Sequence, residues 1–107
     1  LTARDGRTHW IGDAPSGAPT DGDPLEALRA TMELLHTEPF EGVPPLTSGM
    51  VGFVGWEAVR RWEKVPSTTP DVLGLPEVAM MLATDLAVLD APSHTHLAYA
   101  SSFLIVL

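Results

Sequence analysis

Three glycines, Gly49, Gly52 and Gly55, recur every third residue in the run Ser48-Gly49-Met50-Val51-Gly52-Phe53-Val54-Gly55. Glycine-rich runs hold phosphates when backbone N–H groups converge and a lysine closes the loop. No Gly-Lys-Ser/Thr ending follows here, and the dinucleotide fingerprint needs a different glycine spacing. The run reads instead as a strand in which glycine admits a close backbone approach or a bulge. His94 and His96, two apart, would face the same side of a strand. Such a pair can hold zinc or nickel only with at least one further protein ligand, and none is evident, so both are read as exposed. Asp85 is a lone carboxylate inside an apolar run. Burial there would raise its pKa and make it a base, but a polar residue at a strand bend is the simpler reading. Trp10, Trp56 and Trp62 could line an aromatic surface. Trp56 and Trp62 flank a short predicted helix and are expected to anchor it to a sheet. No serine nucleophile elbow, His-Glu-x-x-His pair or close acid–base pair occurs. No residue is therefore assigned a catalytic, cofactor-binding or metal-binding role.

Composition narrows the class of protein. The 107 residues are 45% apolar and carry 14 acidic against 6 basic side chains, a formal net charge of -8. The apolar share supports a packed core, although a chain of this size buries a smaller fraction of its surface than a full domain does. The acidic balance argues against a phosphate-backbone or anionic-lipid partner, each of which needs a basic face. With no cysteine, disulfides, thiolate nucleophiles and zinc–thiolate centres are excluded. The longest apolar runs, Val78 to Ala83 and Phe103 to Leu107, fall far short of the ~20 residues of a membrane-spanning helix. The start, Leu1-Thr2-Ala3-Arg4-Asp5, has no apolar leader and no initiating Met, so a secretion signal is not expected and a piece of a longer chain is.

The elements that would position these residues are legible from pattern. Asp5-Gly6 is a tight-turn signal, because both positions tolerate positive φ, and it predicts a hairpin pairing Leu1–Ala3 with Thr8–Ile11. Trp10 would supply its large apolar contact. Residues 12–22 are loop by composition. Asp23, Pro24 and Glu26 form a helix start, with Leu25, Leu28, Met32 and Leu35 on one face, predicting a helix over 24–37. Residues 39–47 read as a Pro-rich connection. Residues 48–55 follow as a strand buried on both faces, with Val and Phe on alternate sides. A second helix, about 56–64, would pair Glu57 with Arg60 or Arg61 and stop at Pro66. After a loop over 65–76, Val78 to Leu89 fits either a helix or a long strand bent at Thr84-Asp85, the strand being preferred. Residues 97–107 have strand-like composition. The whole is an α+β chain.

The run Leu46 to Glu57 resembles a segment of anthranilate synthase component I. That family shows two adjacent glycines, then Gly-Tyr, then a second Gly-Tyr. Here Ser48 stands for the first glycine, Phe53 for the first tyrosine and Trp56 for the second, keeping aromatic character without the hydroxyls. Val59-Arg60-Arg61-Trp62-Glu63-Lys64-Val65-Pro66 is similar to the family's helix and proline stop. Leu75-Pro76-Glu77, Val78 to Leu82, Asp85 to Asp90 and the early helix from Asp23 to Glu38 continue the likeness, which is greatest to the actinobacterial branch. It covers about residues 1–90, read as a partial N-terminal domain. Residues 91–107 are a divergent tail without assignment.

The resemblance implies part of an α/β sandwich of two antiparallel sheets with outer helices, in which 78–90 is strand. It implies a parent enzyme that removes pyruvate from chorismate and adds an amino group in tryptophan biosynthesis. A glutamine amidotransferase subunit would supply ammonia, and Mg²⁺ would bind the chorismate carboxylate. The family's catalytic carboxylates, histidine and Mg²⁺ ligands belong to its C-terminal chorismate-binding domain, and its tryptophan-feedback motif lies upstream of the matched segment. No such residue transfers to this chain, which is expected to be inactive alone, to hold no cofactor and to derive from a cytoplasmic protein. Two other readings stay open. One is a fragment of the folate-pathway aminodeoxychorismate synthase, which more often has Trp where this chain has Met50. The other is a non-enzymatic interaction module or pseudogene product.

Overall fold

A computed structural model describes residues 1–38, 41, 48–90 and 95–100, with 88–90 and 95–100 described by their backbone alone. The chain opens with the expected hairpin. Strand β1 (Thr2–Arg4) pairs antiparallel with β2 (Arg7–His9) in the register Thr2↔His9, Ala3↔Thr8, Arg4↔Arg7. Asp5 and Gly6 turn it with φ of 50° and 71°, the two positive values that match a tight turn to the twist of its strands. The loop that follows is strapped back onto β2. The amide and the hydroxyl of Thr8 both donate to the Gly22 carbonyl, at 2.8 and 3.0 Å, and Trp10 Nε1 donates to the Pro19 carbonyl at 2.8 Å.

Helix α1 (Pro24–Leu34) begins where the sequence signals it. Asp23 Oδ1 accepts from the amides of Leu25 and Glu26 at 2.9 and 3.0 Å, satisfying two of the donors a helix leaves open at its start. Pro24 at the first position costs nothing there. The helix ends one turn before the expected Thr37. Its buried stripe is Pro24, Ala27 and Thr31, at helical spacing but displaced from the large apolar residues. Leu25 packs at the margin of the core and Met32 is exposed. Small side chains let α1 lie close against β2, and the Thr31 hydroxyl is satisfied within the helix by the Ala27 carbonyl at 2.7 Å.

The remaining strands complete a four-stranded antiparallel sheet in the order β2-β1-β4-β3. Strand β3 (Gly49–Val54) pairs along its whole length with β4 (Val78–Ala83), from Gly49↔Ala83 to Val54↔Val78. The first strand reaches the other side of β4 through Thr2↔Ala79 and the Met80 amide, which donates to the Leu1 carbonyl at 2.8 Å. Thr84 then interrupts the run, and β5 (Asp85–Asp90) continues it in a separate two-stranded sheet with β6 (Thr95–Ala100). The ambiguous 78–89 segment is thus a long strand bent at Thr84-Asp85, its two halves serving different sheets. The core gathers on one face of the larger sheet, where Leu1, Ala3 and Val78 meet Ala27 of α1, with Trp10, Leu25, Met50 and Met80 around them. This is the expected α+β architecture.

Three expectations are corrected. Strand β3 is an edge strand and is not buried on both faces. Val51 and Phe53 share one face by their spacing and are 50% and 45% exposed, because no described element lies over that face. The second helix is a 3-10 helix of six residues, Trp56–Arg61. A segment this short, with no side-chain cap at Gly55, gains little from α-helical cooperativity and takes the tighter form used for short connectors. Its anchor is Ala58, 3% exposed, whereas Trp56 and Trp62 are 78% and 70% exposed. A 3-10 turn places residues on different faces from those an α-helix would choose. The expectations for His94 and for Phe103 to Leu107 fall outside the described residues.

Candidate functional site

The glycines of β3 serve backbone packing. A β-carbon on Gly52 would overlap the Ala79 carbonyl oxygen and come within 2.8 Å of Met80 Cα. Only glycine fits there without displacing β4. At Gly55 the backbone itself makes the contact, its amide donating to the Glu77 carbonyl at 2.6 Å. No ring of amides opens toward a phosphate, and the run is the seam between β3 and β4.

The densest polar arrangement is centred on Arg61. Its guanidinium forks onto Glu77, with Nη2 2.8 Å from Oε2 and Nε paired to Oε1, while Nη1 reaches Asp23 Oδ2. Asp23 therefore caps α1 through one oxygen and holds Arg61 through the other. The 3-10 helix, the start of α1 and the entry to β4 are tied at one planar cation, a geometry suited to arginine's fixed set of donors. Hydrogen bonding to Glu77 is the main cause that raises the Arg61 pKa, opposed by partial burial and aided by the two carboxylate charges. The sequence reading missed this cluster. Of the two local partners expected for Glu57, Arg60 makes the pair, and Arg61 reaches further along the chain instead. Partners 38 and 16 residues away leave no periodic signal. With three of its donors on two carboxylates, Arg61 ties three elements together.

Two open grooves flank the sheet. One, of about 570 Å³, is lined by apolar side chains including Trp10, Val51, Met80 and Met81, with Asp13 and Thr2 as its polar members. The other, of about 520 Å³, brings together Arg4, Asp5, Asp71 and Glu77. Glu77 is occupied by Arg61, and Asp71 Oδ1 accepts from the Gly74 amide at 2.8 Å within its own turn. Neither groove presents an acid and a base aimed at a common point. Asp85 is exposed and accepts from the Thr84 hydroxyl at 3.0 Å, in keeping with a polar residue at a bend. His96 lies on β6 opposite Leu89. Among the described residues, no three His, Asp or Glu side chains converge as metal ligands. No described helix is long and apolar enough to cross a membrane.

The described part is thus a four-stranded antiparallel sheet with one helix packed on it, followed by a two-stranded sheet. Its sequence is similar to a segment of longer proteins. The chain is 51% identical over 102 residues to anthranilate synthase component 1 of Arthrobacter globiformis, covering 95% of this chain and 19% of that protein. It is 54% identical over 90 residues to the protein of the same name from Mycolicibacterium smegmatis, 84% of this chain and 17% of that one. The counterpart from Streptomyces coelicolor is 41% identical over 85 residues, 78% of this chain and 16% of that one. The chain corresponds to a segment of the anthranilate synthase component 1 family and spans about a fifth of its relatives' length. A match of 102 residues is longer than the first 90 residues of this chain, so it takes in part of 91–107. No family profile matches the chain.

Proposed function

We propose that this chain is a non-catalytic part of the anthranilate synthase large subunit, from its N-terminal region. The observation that carries the reading is the match of half or more of the aligned positions, over most of the chain, to component 1 proteins about five times as long. In this reading the parent enzyme converts chorismate to anthranilate for tryptophan biosynthesis, in the cytoplasm, with ammonia from a glutamine amidotransferase subunit. Residues 1–90 contribute to the N-terminal domain, and 91–107 carry no assigned role. Chorismate is bound by the C-terminal domain of the longer polypeptide.

The Mg²⁺ of the parent family is not fitted by the residues described here. The carboxylates of Asp23, Glu77, Asp21 and Glu57 are each paired with an arginine, and no ligand group of three converges. In this reading the metal's ligands belong to the C-terminal domain. The chemistry also needs a proton donor for the departing ring hydroxyl and a site for ammonia, preorganised together, and rate factors of roughly a million-fold or more require such an assembly.

Anthranilate is fluorescent, which gives a direct test. The purified chain, mixed with chorismate, ammonium and Mg²⁺, is expected to give no emission above a control without protein. Sustained turnover that survives repurification would overturn the reading. Coding sequence that continues in frame into a chorismate-binding domain, beside a glutaminase gene, would support the parent assignment. An isolated module would lack that arrangement.

A further inference from the structure

We draw no further inference here: the strongest candidate, the apolar face of strands β3 and β4 formed by Val51, Phe53, Ala79 and Met81, over which no described element lies, carries nothing because nothing in the structure shows what covers it.

Discussion

The two faces of the four-stranded sheet are built from the same strands and meet different environments. On one face Leu1, Ala3, Val78 and Met80 pack with Ala27 of α1, and Val78 is 0% exposed. On the other, the register places Val51 beside Met81 and Phe53 beside Ala79, and Met81 is 64% exposed. Further across that second face the same register brings Thr2 beside His9 and Arg4 beside Arg7, so it changes from apolar to polar between β4 and β1. Residue type therefore does not decide which side of β3 and β4 is core. The position of α1 decides it, and α1 is held by Asp23, Arg61 and its small buried residues.

The sharpest way to break this contrast is one charge on each face of β4. Val78→Asp buries a carboxylate with no partner, a cost above about 4 kcal/mol. That is comparable to the whole stability of a small domain, so the cooperative urea transition followed by circular dichroism should disappear. Met81→Asp, three residues along and on the open face, should cost about 1 kcal/mol or less. Equal losses for the two variants would mean that the second face is also packed.

Next in size is the seam. Gly52→Val would force a branched side chain into the Ala79–Met80 backbone, and overpacking of this kind costs about 1–3 kcal/mol. An unchanged urea midpoint would show that β3 and β4 can separate there without loss. A smaller effect is expected at the tie that positions α1. Asp23→Ala removes both the cap and one partner of Arg61, for about 1–2 kcal/mol. Asp23→Asn keeps a capping oxygen and loses only the charge facing Arg61, so it should recover most of the stability. If Asn is as damaging as Ala, the ion pair and not the cap is what holds the helix.

Much of this was legible because it is local. Asp5-Gly6 fixes a hairpin through two φ values, Asp23-Pro24 starts a helix through its own carboxylate, and Thr84-Asp85 breaks an apolar run at the bend. Alternation identified β3 as a strand, but alternation cannot tell a buried face from one left open, since both carry Val, Phe and Met. Trp56 and Trp62 misled for a related reason. Their size makes them good anchors in general, but a 3-10 turn directed Ala58 inward instead. The Arg61 cluster was beyond reach because it joins residues of three elements, and only the completed fold brings them together.

The smallest expected effect concerns the ion pair on the solvated side of the hairpin. Arg7 Nε donates to Asp21 Oδ1 at 2.8 Å, and Nη2 pairs with Oδ2. This hydrogen bonding, then the Gly22 amide, lowers the Asp21 pKa from 3.8 to about 2. The folded state thus binds that proton more weakly than the unfolded chain does. The sign follows from linkage: the contribution is fully present above the unfolded value near 3.8 and is lost as pH falls through about 2. Both side chains are largely exposed, so salt screens the attraction and its share of stability is small. The titration itself is a better readout than unfolding. Carboxyl carbon shifts followed by NMR should give Asp21 a midpoint near 2, and Arg7→Ala should raise it only part of the way back to its usual value. The Gly22 amide, 2.7 Å from Oδ1, remains to favour the charged form. A midpoint unmoved by Arg7→Ala would assign the shift to the backbone amide alone, and the arginine would then have no electrostatic role on this side of the sheet.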